Sequence, residues 1–428
     1  MSAIWKEISV GSVRAFRVVI PKPQDRVPIT LRTTPQLLCL YVPLVFLAYL
    51  ARRPDTYLIR LLLLPTVVIC ALMSGFRYTA NIAQLNVYDW GLALLAEVII
   101  AKALQYGLTP EGMLKLGERR PGEQKGKEVD QSSANGHVNG HIEPPPTRII
   151  PVWICDAFEL IHTMRAPRWK YAQGTHIPPH IRPLERRAFL NATARSFVKN
   201  FLILDFIESC VKLFPGVGEP VGGSIFYNEL PPIPRYVVST TIHMLTGSAI
   251  LAGFGMVYDL LTFLAVYLFS TPPSAWPPAT DGPWQASSLT RLWSKHWHQF
   301  LRSTFLVYGG YPGRWLAGDI GWVLGTFIAS GVYHEAAMYA MGRGFDHTVT
   351  WFFAIQGPLI IGERLFRVTT GRRVGGWPGR LWVYAVIFIG AQPMVDSWHK
   401  RGLGGAMVIP PVLSPVRLTL FTLGFGRR

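Results

Sequence analysis

Residues 36–51, 58–75 and 87–106 are three apolar stretches in close succession, and a helix that crosses the hydrocarbon core of a bilayer needs about 20 such residues. A fourth stretch, 236–270, is interrupted by Gly247, Gly253 and Gly255. It is long enough for one tilted helix or for a helix broken near the glycines. Further spans are expected at 315–341, 350–366, 381–398 and 407–425. The predicted fold class is therefore an all-α integral membrane protein with about eight or nine transmembrane helices.

Composition agrees with lipid as the solvent. Half of the 428 residues are apolar, only 16% are charged, and the chain carries 14 Trp and 34 Pro, which is more than a soluble domain usually holds. Lys and Arg number 42 against 25 Asp and Glu, and they lie at the ends of apolar segments, where helix anchors belong. No basic-aromatic reading module accompanies them, so nucleic acid is not an expected partner. Cys39, Cys70, Cys155 and Cys210 are far apart and suggest neither a disulfide framework nor a zinc site. The first 33 residues hold Lys6, Arg14, Arg17, Lys22, Arg26 and Arg32 without an apolar run, so the first membrane helix is expected to serve as the targeting signal.

Four regions follow. Residues 1–107 are N-terminal transmembrane helices. Residues 108–148 include a long Gly, Pro and Ser-rich polar run that cannot bury a core and is expected to be a disordered loop; its His137 and His141 read as loop residues, not as metal ligands. Residues 149–235 mix basic, aromatic and apolar positions and read as an amphipathic, interfacial segment, within which the Asn191 glycosylation sequon reads as a chance occurrence. Residues 236–428 form the membrane core that carries the candidate site.

Ionisable side chains inside apolar spans are costly, and each is a site hypothesis by default. His334 leads, in FIASGVYHEAAMYAM, with Glu335 beside it and Ser330, Gly331, Ala336 and Ala337 around it. Small residues there let a helix or a substrate approach the backbone closely, and a hydrogen-bonded core histidine is the competing reading. The second candidate is RLWSKHWHQFLRSTF. Read as a helix, it puts Trp293 and Trp297 on one face with His298 over Ser294, while His296 and His298 point about 200° apart and cannot share a metal well. The competing reading is a Trp-anchored interfacial helix. Asp259, His243, Asp319, Glu363, Asp396 and His399 read as cavity-lining or helix-capping groups. Serine-hydrolase, phosphate-loop and dinucleotide signatures are absent from the sequence, which leaves a histidine acting alone as base.

Taken together, the block from Arg291 to Gln299 (R-x-W-x-x-x-W-H-Q) and the later Ser330 to Glu335 (S-G-x-x-H-E) resemble the wax-synthase branch of the membrane-bound O-acyltransferases. FFAIQGPLIIGERLF and GRLWVYAVIFIGAQPMVDSWHKRG are similar to the pattern of its fungal members. The resemblance covers roughly residues 230–400 and fades before about residue 150. It implies a many-helix fold around an internal tunnel, with acyl-CoA and a hydrophobic alcohol meeting at one histidine. His334 matches the family's catalytic histidine, and His298 falls where relatives carry Asn or His. Arg291, Trp293, Ser294, Trp297, Ser330 and Glu335 are the supporting or substrate-binding candidates. Fungal relatives of this size acetylate terpenoid or polyketide alcohols, whereas plant relatives make long-chain wax esters.

The expected reaction is transfer of an acetyl group from acetyl-CoA, used as co-substrate with no bound cofactor, to a hydroxyl of a hydrophobic secondary metabolite. Long-chain wax-ester synthesis is the alternative within the class, and a multi-span transporter the alternative outside it. Lys295, Arg302 and Arg314 are basic groups available to CoA phosphates or to lipid headgroups. A multi-pass chain of this kind is expected in the endoplasmic reticulum membrane.

Overall fold

The computed structural model describes residues 3–122 and 152–424. Most of the polar insertion, with His137 and His141, lies outside the described residues. The N-terminal half holds α1 (Ala3–Val19), α2 (Thr34–Cys39), α3 (Val42–Ala51), α4 (Tyr57–Phe76), α5 (Asn86–Leu108), α6 (Val152–His162) and α7 (Arg186–Val211). The rest holds α8 (Pro232–Leu268), α9 (Leu289–Arg291), α10 (Arg302–Phe305), α11 (Tyr311–Ala340), α12 (Thr348–Thr370), α13 (Gly376–Phe388), α14 (Gln392–Lys400) and α15 (Pro415–Thr422). The strands β1 (Val27–Pro28) and β2 (Tyr78–Thr79) form one short parallel pair.

Among the described residues, five helical runs are long and apolar enough to cross a membrane: Thr34–Ala51, Tyr57–Phe76, Ala83–Leu108, Pro232–Leu268 and Arg302–Ala340. The expected span at 381–398 is instead two shorter helices, α13 and α14, because the chain leaves helical order at residues 389–391, just before Pro393. The expected span at 407–425 reduces to a tight turn and the eight-residue α15, since Pro410, Pro411 and Pro415 interrupt it. The 236–270 stretch forms one unbroken helix, α8, of 37 residues.

Part of the segment expected to lie flat on the membrane runs along this helix. Helix α7 packs antiparallel to α8, with Arg186 donating to the carbonyls of Val266 and Tyr267 and Asn200 donating to Asp259. Asp259 is buried but paired, 2.6 Å from Arg182. Thr193 of the Asn191 sequon is itself buried and accepts from Arg182.

Glycine governs the centre of the fold. The run Arg302–Ala340 is not a single span, because Ala317 (φ −144°, ψ 30°) and Gly318 (φ 57°, ψ −139°) break it into two arms. The left-handed backbone at Gly318 favours glycine. Gly309 and Gly313 on the first arm face Gly325 and Gly321 on the second, and a Cβ on any of the four would collide with the carbonyl oxygen of its partner. Each arm thus carries a G-x-x-x-G whose missing side chains let two helical backbones touch. The helix expected at 315–341 is present as the second arm, up to Ala340, and residues 302–316 fold back along it to an exposed tip, where Trp315 and Leu316 face outward. The second arm packs on α12 in the same way, since a Cβ on Gly331 would meet the Thr350 backbone.

The start of the polar insertion is ordered by charge. Arg52 is buried, binds both oxygens of Glu118 at 2.7 and 2.8 Å, and reaches Asp156 on α6 at 3.0 Å. Lys115 joins Asp156 and Glu159. Burial alone would raise both carboxyls, but hydrogen bonds and charge from Arg52 and Lys115 overcome it and hold Glu118 and Asp156 below the usual carboxylate range. Their contribution is therefore present above the unfolded carboxyl range and is lost as pH falls through the lowered folded values. Arg52→Met is expected to cost about 1–3 kcal/mol, because Glu118 and Asp156 lose their charged hydrogen-bond donor but keep Lys115. Thermal unfolding in detergent at neutral pH checks this; an unchanged midpoint would contradict it.

Candidate active site

Glu363 on α12 sets the start of the tryptophan-histidine block. Its carboxylate accepts from the backbone N–H groups of Leu289 and Thr290 at 2.7 and 3.0 Å, from the Thr290 hydroxyl at 2.6 Å and from Trp382 Nε1 at 3.1 Å. A carboxylate satisfying free N–H groups at a helix start is favourable. The chain then widens into a π-turn over residues 292–296, closed by Trp297 N–H donating to the Leu292 carbonyl at 2.8 Å.

At Trp297 the backbone becomes extended (φ −76°, ψ 160°). This corrects the continuous helix read from the sequence, and His298 does not lie over Ser294. The Ser294 hydroxyl donates to its own turn at Thr290 O, 2.6 Å away, and both Ser294 and Arg291 are exposed. His298 turns inward, with ring centroids 5.1 Å from Phe254, 5.2 Å from Trp297 and 5.8 Å from Phe300. Its Nδ1 is buried and has no protein hydrogen-bond partner.

His334 arrives on the second arm of the glycine hairpin. The Gly309–Gly325 and Gly313–Gly321 pairs hold the two arms together, and Phe305 of the first arm contacts Tyr333 and His334 of the second. The Phe305 and His334 rings are 6.1 Å apart, and His334 lies within electrostatic reach of His298. His334 Nδ1 is 2.7 Å from the Ser330 carbonyl, which assigns the proton to Nδ1 and leaves Nε2 as the acceptor. Phe353 of α12 stacks on the imidazole at 4.3 Å with an interplanar angle of 15°. Both imidazoles keep some accessible surface although aromatic rings surround them.

Trp293 links the two motifs. Its ring is 6.3 Å from Trp297 and 6.1 Å from Phe353, and its Nε1 donates to Gln356 at 3.1 Å. Glu335 turns away from the imidazoles: it is buried, 2.7 Å from Arg401, and accepts from Asp346 N–H, tying α11 to the loop before α12 and to the end of α14. Ser330 and Gly331 are also buried, Gly331 against α12, so the small residues beside His334 serve packing. Of the basic candidates, Lys295 is 3.7 Å from Asp281, Arg302 donates to Thr175, and Arg314 stacks over Trp322 at the hairpin tip.

Phe353, Phe305, Tyr258 and Arg165 were not singled out from the sequence. Arg165 is buried, stacks 4.8 Å from Phe300, and donates to the carbonyls of Pro277 and Pro278 and to the Tyr258 hydroxyl. A lone basic residue in a loop gives no local signal of such a position. Phe353 and Gln356 do lie in the FFAIQG stretch that carries part of the resemblance.

Comparison with known proteins now bears on this geometry. Residues 276–355, which include both histidines and Phe353, match the membrane bound O-acyl transferase family. Over this segment the chain resembles that family. Acetyltransferase aurG of Calcarisporium arbuscula is 26% identical over 363 residues, covering 78% of this chain and 84% of that protein. Acetyltransferase eriL of Hericium erinaceus is 26% identical over 281 residues, 60% of this chain and 70% of that protein. O-Mevalon transferase yanI of Aspergillus niger is 26% identical over 221 residues, 47% of this chain and 48% of that protein. No solved structure matches. Proteins named as acyl transferases take an acyl donor and an acceptor group, and these relatives place this chain's likeness among them.

Proposed function

We propose that this O-acyltransferase moves an acetyl group from acetyl-CoA to a hydroxyl of a hydrophobic secondary metabolite, a terpenoid, meroterpenoid or polyketide, in the endoplasmic reticulum membrane. The observation that carries the reading is the pair of imidazoles: His334 with Nδ1 committed to Ser330 and Nε2 free, near His298 with an unpartnered Nδ1, among aromatic rings. An aromatic enclosure favours an apolar acceptor, and two of the relatives are named acetyltransferases.

In this reading His334 Nε2 takes the proton from the acceptor hydroxyl, because an unactivated alcohol is a poor nucleophile at neutral pH. The alkoxide oxygen attacks the thioester carbonyl, and the carbonyl electron pair moves onto its oxygen. His298, carrying its proton on the nitrogen that faces this oxyanion, donates a hydrogen bond to it. Collapse expels the CoA thiolate, which takes up the proton held by His334. No acyl-enzyme forms.

His298→Ala is expected to lower turnover by about a hundredfold or more, the usual cost of removing one oxyanion donor. A loss below about tenfold in steady-state ester formation would assign His298 to packing against Phe254. Competition between acetyl-CoA and palmitoyl-CoA over a panel of terpenoid, polyketide and fatty alcohols tests the donor. Preferred acetyl ester supports the reading, and preferred palmitoyl ester makes the protein a wax-ester synthase.

A further inference from the structure

The N-terminal helix α1 has little protein to pack on, and its largest apolar side chains gather on one side. Trp5 is 64% exposed, Ile8 52% and Phe16 49%, and at about 100° per residue they fall on one face of the helix. Lys6, Arg14 and Arg17 fall on the opposite side, which they share with exposed Val10 and Val13, and Glu7 is the one acid in the helix. Three large apolar side chains held in water would be a liability, and this pairing of an apolar face with a basic one is what a helix in the plane of a membrane surface presents.

Its tether fixes the level at which it lies. Arg77, just past the end of α4, donates to the Val18 carbonyl at 3.0 Å, and Arg17 donates to the Tyr339 hydroxyl near the end of α11 at 3.4 Å. Ile20 packs with Phe76 and Tyr339. The C-terminal end of α1 is thus attached where α4 and the second arm of the glycine hairpin both end.

We propose that α1 lies in the plane of an anionic phospholipid leaflet, with Trp5, Ile8 and Phe16 among the acyl chains and Lys6 and Arg14 toward the phosphates. Anionic headgroups are the occupant that the charge of the polar face selects. This surface is independent of the acyl-transfer chemistry.

Hydrogen exchange of the full chain tests it, in bilayer discs of phosphatidylcholine alone or mixed with phosphatidylserine. Amides of residues 5–19 are expected to exchange roughly tenfold or more slowly in the wild type than in Ile8→Glu/Phe16→Glu. Protection should be greater in the anionic discs, and Lys6→Glu/Arg14→Glu should remove that difference. Unchanged protection in α5 and α11 shows that each variant is folded. Unprotected exchange of α1 in the wild type would overturn the proposal. Protection indifferent to both variants, or found in detergent and lost on dilution as contact with a second copy would be, would overturn it equally.

Discussion

His334→Ala is expected to reduce acyl transfer by about a hundredfold to ten-thousandfold, the range that a positioned general base contributes. The imidazole stacks on Phe353 and hydrogen-bonds Ser330, so alanine also leaves a small void. His334→Gln keeps most of the volume and removes the base, and it should be as inactive as alanine. Ester formation per folded molecule, with folding followed by size exclusion in detergent, is the measurement. Turnover within about tenfold of wild type in either variant would remove His334 as the base.

The second large effect is structural. Gly325→Val puts a branched side chain where the Gly309 carbonyl already sits, and neither backbone can yield without separating the two arms. The expected cost exceeds about 3 kcal/mol, the upper part of the usual overpacking range, seen as loss of monodisperse protein after extraction. Gly91→Ala is the control, since a Cβ there meets nothing within 4 Å and helix propensity favours alanine. Full activity in Gly325→Val would refute the hairpin as the element that delivers His334.

Helix existence was legible wherever apolar length alone decides it. Runs 58–75, 87–106 and 236–270 correspond to α4, α5 and α8 within a few residues, because a lipid-facing helix must be apolar along its length. Legibility fails where tertiary contact overrides local pattern. The hairpin inside 302–340 was hidden because its turn needs only Ala317 and Gly318, while Pro312 and Arg314 do not end the helix. The two G-x-x-x-G pairs, Gly309 with Gly313 and Gly321 with Gly325, were the available signal.

The candidate site was legible in part for the same reason. His334 stands out as an ionisable group in an apolar run. The motif block pointed to His298, but not to its path, which depends on a π-turn and on Glu363, 65 residues beyond His298, capping the start of the block. Glu335 drew attention by adjacency, yet successive helical side chains diverge by about 100°, and Arg401 claims it. Arg165 belongs to a loop brought in by the fold.

The measurement that bears most directly on acyl transfer at His334 is a paired time course of free CoA and ester in membranes containing the wild-type protein, with acetyl-CoA, with and without an acceptor alcohol. The account predicts that thiol release depends on the acceptor and equals ester formed, mole for mole, with both reduced by about a hundredfold or more in His334→Ala. Thiol release at the same rate without acceptor, or equal ester formation in His334→Ala, would contradict it.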